Sequence, residues 1–228
     1  MKAIYNENLS VALLFFLRES HVISLTGAGG KTSLLIKLGD LFSERGEKTL
    51  LTTTTHLASD ISYGNADLFV EKESTMKYKS PDISLIKAKT KEYDRMIIEA
   101  DGARRLPLKF HTSRDPVVIE ETDTVMSLIG ISALGKPLDS VLFGIDEYRN
   151  ETKQTDEVCT LMTIKSLIEA KGGALKGTDG KKTFVVINQA DTLTPEEITD
   201  VNTLMYTLSQ NYLLISLQNN KLYSGVVF

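Results

Sequence analysis

A glycine-rich loop ending in lysine and threonine is the part of this sequence best suited to chemistry. It reads Gly27-Ala28-Gly29-Gly30-Lys31-Thr32-Ser33. Backbone N–H groups hold an anion such as a triphosphate most closely where residues tolerate positive φ and carry no Cβ. Lys31 would bring a positive charge to the outer phosphates, and the Thr32 hydroxyl would bind Mg²⁺. We therefore predict that these seven residues bind the phosphates of ATP or GTP together with Mg²⁺.

The residues around the loop favour this interpretation, although the loop matches the common phosphate-loop motif only in part. Leu25 stands where the common phosphate-loop pattern has its first glycine. The apolar run at 22–25 predicts a buried strand, and leucines recur at helical spacing directly after the loop. A strand, a glycine loop and a helix in this order are the context that phosphate binding requires, since the helix would direct its positive end at the phosphates.

Two carboxylates follow another apolar segment, at Glu99 and Asp101. Mg²⁺ prefers oxygen ligands, and in phosphate-loop proteins a strand-end carboxylate completes its site. We predict that Asp101 shares the metal with Thr32, while Glu99 positions a water or an acceptor. An ordinary solvated turn at Asp101-Gly102 is the alternative.

Cations and hydroxyls lie close to these two carboxylates along the chain. Among Arg104, Arg105 and Lys109, we favour Arg104 or Lys109 as a ligand for phosphate or substrate, and Arg104 is included in the predicted catalytic set with Lys31, Glu99 and Asp101. The run Thr52-Thr53-Thr54-Thr55 either faces the site or pairs across the sheet, because threonine also has high strand propensity. His56 follows as a weaker candidate for a base.

A late segment, Asn188-Gln189-Ala190-Asp191, resembles the Asn-Lys-x-Asp signature of GTP-binding proteins. In that signature the aspartate accepts hydrogen bonds from N1 and N2 of guanine. Gln189 replaces the lysine that normally braces the base. Recognition of a base by Asn188 and Asp191 and a simple turn at the end of a strand therefore both remain open.

The order of elements predicts an α/β fold with a mostly parallel central sheet and helices on both faces, a three-layer sandwich of the P-loop NTPase kind. We predict one domain over residues 1–228. Strands are expected at 48–54, 67–70, 83–86, 94–102, 125–129, 184–187, 212–217 and 222–227. The polar segment 135–156 has little periodicity and is expected to be a lid or a partner-binding loop, after which Thr155 would cap a helix.

The composition and charge of the chain argue against several classes of function. A net charge of −4 and a pI near 5.5 argue against a broad nucleic-acid-binding face. Cys159 is the single cysteine, which excludes an intramolecular disulfide and fits a cytoplasmic location. The apolar run at 11–17 is well short of the ~20 residues that span a bilayer, so we expect no membrane association.

Taken together, the segments 27–32, 52–55, 99–104 with 107–109, and 188–191 give a chain that resembles the YqeC family over nearly its full length. That family is described as accessory to selenium-dependent hydroxylases. The resemblance implies a cytoplasmic nucleotide-binding protein that helps mature molybdenum hydroxylases or supply them with selenium. It implies a molybdenum hydroxylase, or the proteins that mature its cofactor, as partners.

Three functions are compatible with these motifs. The first is a Mg²⁺-dependent NTPase that acts as an accessory protein. The second is a small-molecule kinase, because the same phosphate machinery serves transfer to a hydroxyl. The third is a nucleotide-gated binding module without catalysis, in which segment 135–156 becomes ordered and presents a surface to a partner.

Overall fold

A computed structural model describes residues 2–228 of the chain, whose largest sheet has nine strands. The strands are β1 (Lys2–Asn8), β2 (Val22–Gly27), β3 (Thr49–Thr53), β4 (His56–Ala58), β5 (Asp67–Phe69), β6 (Glu71–Lys72), β7 (Lys77–Lys79), β8 (Arg95–Glu99), β9 (Leu108–Lys109), β10 (Thr124–Gly130), β11 (Leu142–Phe143), β12 (Lys182–Asn188), β13 (Tyr212–Ser216) and β14 (Lys221–Val227). The α-helices are α1 (Leu9–Phe16), α2 (Lys31–Ser43), α3 (Ile83–Lys89), α4 (Leu138–Val141), α5 (Ile145–Thr152), α6 (Leu161–Glu169) and α7 (Pro195–Leu208). Short 3-10 turns cover Ile131–Ala133 and Ala190–Thr192.

The main sheet has the strand order β1-β14-β13-β12-β10-β2-β8-β3-β5. Pairing is parallel from β13 through to β5, and only β14 and β1 at one edge run antiparallel to their neighbours. Two small sheets, β11-β9 and β4-β7-β6, lie outside it. This arrangement confirms the predicted mostly parallel central sheet.

Helices cover both faces of the sheet, as the alternation within β12 shows. Phe184 and Val186 join the core cluster that contains residues of α1 and α2. Val185 and Ile187 point to the other face, into the cluster that contains α6 and α7. Because successive side chains of a strand point to opposite faces, an apolar strand of this kind needs cover on both. The fold is therefore a three-layer α/β sandwich, as predicted.

The register of the central strands brings their carboxyl ends to one edge. Leu25 of β2 is opposite Glu99 of β8, and Glu99 is opposite Thr53 of β3. On the other side of β2, Gly27 is opposite Leu128 of β10. Ligands of open α/β sheets bind in the crevice beyond these carboxyl ends.

Several local predictions were wrong. The expected strand at 83–86 is instead the start of α3, which Asp82 caps by accepting a hydrogen bond from the backbone N–H of Ser84 at 2.8 Å. A short apolar run does not by itself distinguish a strand from a helix. Helix α6 begins after Thr160, whose side chain accepts from the backbone N–H of Thr163, and so Thr155 is not its cap. Strand β1 was not anticipated.

Segment 135–156 contains α4, β11 and α5, although little regular structure was expected there. Its anchor is Tyr148, which is fully buried and meets the Phe110 ring edge-on at 5.7 Å between ring centroids. That contact joins parts of the chain far apart in sequence, so no local periodicity could reveal it. The role of the segment as a lid or a partner-binding surface stays a prediction.

Among residues 2–228, no helix combines the length and the apolar character that crossing a membrane would require.

Candidate functional site

The glycine loop connects β2 to α2 through backbone conformations that suit glycine. Gly27, Gly29 and Gly30 have φ of 82°, 86° and 126°. A Cβ on Gly27 would lie 2.3 Å from the carbonyl oxygen of Leu128, and one on Gly30 would lie 2.6 Å from Nδ2 of Asn188. The glycines therefore allow both the turn and the close packing of the loop against its neighbours.

Backbone donors accumulate where this loop becomes a helix. In the described part of the chain, no protein acceptor is hydrogen-bonded to the backbone N–H of Gly29 or Gly30. Helix α2 has no side-chain cap and no acidic residue in its first turn, whereas Thr194 and Glu197 form a full capping box on α7. An uncapped helix N-terminus next to unbonded loop amides is suited to an anion.

Lys31, the first residue of α2, is directed into the protein. Its Nζ lies 2.9 Å from Oδ1 of Asp101, and it also donates to the carbonyl oxygen of Gly27. The side chains of Lys31 and Asp101 are 5% and 0% exposed. Oδ2 of Asp101 accepts from the backbone N–H of Gly27 at 2.8 Å. Asp101 therefore fixes both the lysine and the start of the loop.

The environment of Asp101 keeps it ionised. Burial by itself would raise the pKa of this carboxyl, but Lys31, His111 and Lys109 oppose the burial effect and together lower the pKa to about 2. A buried carboxylate among cations and hydrogen-bond donors behaves in this way. Asp101 is thus negatively charged at neutral pH beneath the loop.

Glu99 is the carboxylate next to Thr32. The Oγ1 of Thr32 donates to Oε2 of Glu99 at 2.9 Å, and the Glu99 side chain is largely buried. Burial raises the pKa of Glu99 to about 7, against the opposing attraction of Lys31. The prediction that Asp101 is the carboxylate partner of Thr32 at a metal stays untested, but the contacts place Glu99, not Asp101, beside the threonine hydroxyl.

His111 belongs to this cluster and was missed from the sequence. Its Nε2 lies 2.8 Å from Oδ2 of Asp101, and its Nδ1 lies 2.8 Å from the carbonyl oxygen of Gly173. Lys109, a predicted phosphate ligand, is buried as well and its Nζ contacts the carboxylate of Asp115 and the carbonyl oxygen of Gly102. The contacts of Lys109 and His111 support the structure around Asp101.

The threonine run supports the strand ends and does not leave a row of free hydroxyls. Thr52 donates to the carbonyl oxygen of Phe69 at 2.6 Å, and Thr53 donates to that of Glu99 at 2.8 Å. Thr54 donates to the carbonyl oxygen of Val117. Of the two interpretations left open, the structure favours pairing within the sheet for Thr52 and Thr53, while Thr54 holds a loop beside the sheet.

Asn188, at the end of β12, braces the loop from the other side. Its Nδ2 donates to the carbonyl oxygen of Gly29 at 2.7 Å, while its Oδ1 accepts from the backbone N–H of Leu217 at 3.1 Å. Gln189 adopts a left-handed φ of 69° and accepts from the hydroxyl of Ser132 at 2.7 Å. The amide of Asn188 is therefore occupied within the protein.

Two pockets flank the loop. One, of about 830 Å³, lies on the Asn188 side, which we call the Asp191 pocket; it is lined by residues that include Ser33, Lys37, Asp40, Asp191 and Leu217. The other, also about 830 Å³, lies on the Glu99 side, which we call the Arg104 pocket; it is lined by residues that include Thr32, His56, Glu99, Arg104 and Lys136. Gly30, Ser33, Ser132 and Gln189 line both pockets. The loop thus separates two adjoining recesses.

His56 is exposed at the Arg104 pocket, with its Nε2 3.3 Å from Oε1 of Glu73. Arg104 lies exposed at the same pocket, and its guanidinium stacks over the ring of Phe143 at 5.3 Å. Their catalytic roles stay predictions. Within residues 2–228 no group of three or more histidine, cysteine or acidic side chains is arranged to hold a metal ion. A Mg²⁺ site does not need such a group, because Mg²⁺ commonly uses one or two protein ligands together with phosphates and water. The Thr32–Glu99 pair fits a site of that kind.

Comparisons with known proteins identify the family of this chain. The model of the YqeC protein family matches residues 23–80 and 68–145, which together make up more than half of the chain. The chain belongs to the YqeC family. The uncharacterized protein YqeC of Escherichia coli (strain K12) is 29% identical over 201 residues, which are 77% of this chain and 78% of that protein. No solved structure matches.

The YqeC match confirms the resemblance inferred from the motifs. Its residues include the glycine loop, both carboxylates Glu99 and Asp101, and Arg104. Asn188 and Asp191 lie beyond the matched ranges. The matched ranges of this YqeC chain therefore contain the glycine loop and both carboxylates, whereas the Asp191 pocket is lined by residues from inside and outside those ranges.

Proposed function

We propose that this protein binds a nucleoside triphosphate with Mg²⁺ at the glycine loop and hydrolyses it as part of an accessory function. Three features of the loop, found together, support the proposal. Within residues 2–228 the amides of Gly29 and Gly30 lack protein acceptors, helix α2 begins without a side-chain cap, and Asp101 holds Lys31 beneath the loop. Phosphate groups are the ligands that such an arrangement suits best.

Thr32 and Glu99 are the residues that would hold Mg²⁺. They are hydrogen-bonded to each other at the mouth of the loop, so a small cation at this position would have two oxygen ligands from the protein. When bound, the metal would supply charge neutralisation for the phosphates. Asp101 would act from beneath, by holding the amide of Gly27 and the side chain of Lys31.

The base of the nucleotide fits the Asp191 pocket. Because Asn188 is engaged with Gly29 and Leu217, Asp191 is the residue of the signature whose carboxylate is available to a base. A carboxylate accepts hydrogen bonds and would favour the N1 and N2 hydrogens of guanine. Both ATP and GTP are proposed ligands, with Asp191 favouring GTP.

The cellular role rests on the family resemblance. We propose that the protein assists maturation or selenium supply of selenium-dependent molybdenum hydroxylases, and that these enzymes or their cofactor-maturation proteins are its partners. In a host that makes such an enzyme, loss of the gene should lower both hydroxylase activity and selenium incorporation. Restoration by wild type but not by Lys31→Ala would link that role to the loop; equal restoration by both would separate them.

Isothermal titration with ATP and GTP, with and without Mg²⁺, tests nucleotide binding directly. We expect wild type to bind and Lys31→Ala to lose affinity, since a charge-assisted contact contributes about 1.5–3 kcal/mol. Lys91→Ala is the matched control because Lys91 is exposed, lies just before β8 at the opposite edge of the sheet, and forms no ion pair with a described residue. Absence of binding by wild type, or equal binding by Lys31→Ala and Lys91→Ala, would reject the assignment.

A further inference from the structure

We infer that the Arg104 pocket binds a second ligand, a small organic anion with an apolar body, beside the phosphates of the nucleotide. The inference rests on the proposed function, because the glycine loop would then separate a bound nucleotide from a second substrate. The pocket adjoins Lys31, Thr32 and Glu99 and has a volume of about 830 Å³. That volume is typical of small-molecule sites.

The charge of the pocket wall indicates an anion. Four exposed cations line it, contributed by three separate parts of the chain: Lys77, Arg104, Arg105 and Lys136. None of them forms an ion pair with a carboxylate of residues 2–228. Among residues 2–228, Glu99 is the only acidic side chain in the wall. In a chain with a net charge of −4, such a concentration of unpaired cations is a local property of this pocket.

The Asp191 pocket provides an internal contrast. It has a similar volume, but its charged lining residues are Lys37, Asp40, Glu44 and Asp191. One cation therefore stands with three acids there, whereas the Arg104 pocket is dominated by cations. The two recesses beside the loop consequently suit ligands of different charge.

The backbone around Arg104 is held in a particular shape. Arg104 and Arg105 have φ of 48° and 63°, a left-handed conformation that costs about 1–2 kcal/mol for each such residue. The backbone N–H of Leu106 closes the turn onto the carbonyl oxygen of Ala103 at 2.9 Å, and the carbonyl oxygen of Pro107 accepts from Gly130 at 2.8 Å. Strain that the surrounding structure maintains is typical of ligand-binding segments.

Phe143 further fixes one of the cations. The guanidinium of Arg104 lies over its ring at 5.3 Å, which limits the positions that this side chain adopts. Arginine offers paired donors that match the oxygens of a phosphate or carboxylate. Arg104 is therefore the residue most directly suited to orient the anionic group of the ligand.

Apolar side chains complete the wall and define the rest of the ligand. Leu57, Met76, Leu106, Pro107 and Val141 face the same pocket, and Met76 is 58% exposed. An inorganic anion would leave this surface uncovered, whereas an organic phosphate or carboxylate with a ring or chain would cover it. The site therefore suits a second substrate or effector of that class.

The probe for the test is pyranine, a fluorescent pyrene that carries three sulfonates and so combines an apolar ring system with anionic groups. Full-length protein is first saturated with Mg²⁺ and a non-hydrolysable GTP analogue, which keeps the probe away from the loop. The double variant Arg104→Gln/Lys136→Gln is then compared with Lys91→Gln/Arg149→Gln. Both remove two positive charges, but Lys91 and Arg149 are exposed and do not line the Arg104 pocket.

We expect fluorescence anisotropy to show saturable binding to wild type and an affinity lower by at least about tenfold for Arg104→Gln/Lys136→Gln, since the loss of one charged hydrogen bond alone corresponds to about that factor. The control variant should bind like wild type. Equal loss in both variants, or no saturable binding to wild type, would overturn the inference. If neither nucleotide binds but pyranine affinity still depends on Arg104 and Lys136, the proposed function fails and the anion site stands.

Discussion

Nζ of Lys31 lies 2.9 Å from Oδ1 of Asp101, with both side chains buried beneath the glycine loop. The lysine that would contact phosphates is thus already neutralised by a carboxylate of its own chain. Binding of a polyphosphate at the loop must compete with Asp101 for this ammonium group. The same pair fixes the loop, because Asp101 also accepts from the backbone N–H of Gly27.

Replacing Asp101 by asparagine should destabilise the fold. The substitution keeps the size of the side chain but leaves the buried ammonium groups of Lys31 and Lys109 with one carboxylate fewer. Breaking a buried pair in this way costs about 3–5 kcal/mol. Urea unfolding at pH 7 measures the change, with Asp200→Asn as an exposed control. A loss similar to that of Asp200→Asn would show that the buried pair contributes little.

Glu99 should give the stability of the protein a distinct pH dependence. Its pKa is about 7 in the folded state and near the ordinary value of 4.5 in the unfolded state, so the folded state binds the proton more tightly. This contribution is complete below pH 4.5 and is lost as the pH rises through 7. At one pKa unit per 1.36 kcal/mol, the loss is about 3 kcal/mol.

Glu99→Gln removes that titration and should therefore flatten the free energy of unfolding between pH 4.5 and 7. At pH 8 the variant should be more stable than wild type, because it has no buried charge to form at this position. Urea unfolding across the pH range measures both effects. The same slope in wild type and Glu99→Gln would show that another group is responsible.

The sequence predicted those parts of the site that depend on local pattern. Residue composition reveals the glycine loop, and the spacing of apolar residues reveals the strand before it and the helix after it. Glu99 follows a clear apolar run. The positions of side chains in the folded protein were harder to predict from the sequence. Lys109 and His111 turn inward because β9 pairs with β11, which the sequence did not reveal.

The Gly30 position should not tolerate a side chain. Its φ of 126° is rare for residues with a Cβ, and a Cβ would lie 2.6 Å from Nδ2 of Asn188. We expect Gly30→Ala to lose nucleotide binding and to reduce stability by about 1–3 kcal/mol. Gly46→Ala is the matched control, since Gly46 also has positive φ but has open space around it. That control should lose some stability and keep nucleotide affinity.

Asp191 should distinguish the two nucleotides. Asp191→Ala removes the carboxylate proposed to contact the base and leaves the hydrogen bond from Asn188 to Gly29 in place. We expect affinity for GTP to fall about tenfold, the equivalent of one charged hydrogen bond, with little change for ATP. Parallel titrations with both nucleotides measure this difference. A parallel loss for ATP and GTP would place the effect in the pocket as a whole and reject base recognition by Asp191.

Segment 135–156 should respond to nucleotide if it acts as a lid. Tyr148 anchors its second helix in the core, but Lys136, Ser140 and Val141 of the same segment line the Arg104 pocket next to the loop. Closure over a bound ligand would therefore involve the first part of the segment and leave α5 in place. Acetylation of lysines, followed by mass spectrometry, should show slower modification of Lys136 in saturating Mg²⁺ and GTP, with the exposed Lys91 as an internal reference. Unchanged modification of Lys136 would reject the lid and leave the segment as a fixed wall, because a closing lid must protect this exposed lysine.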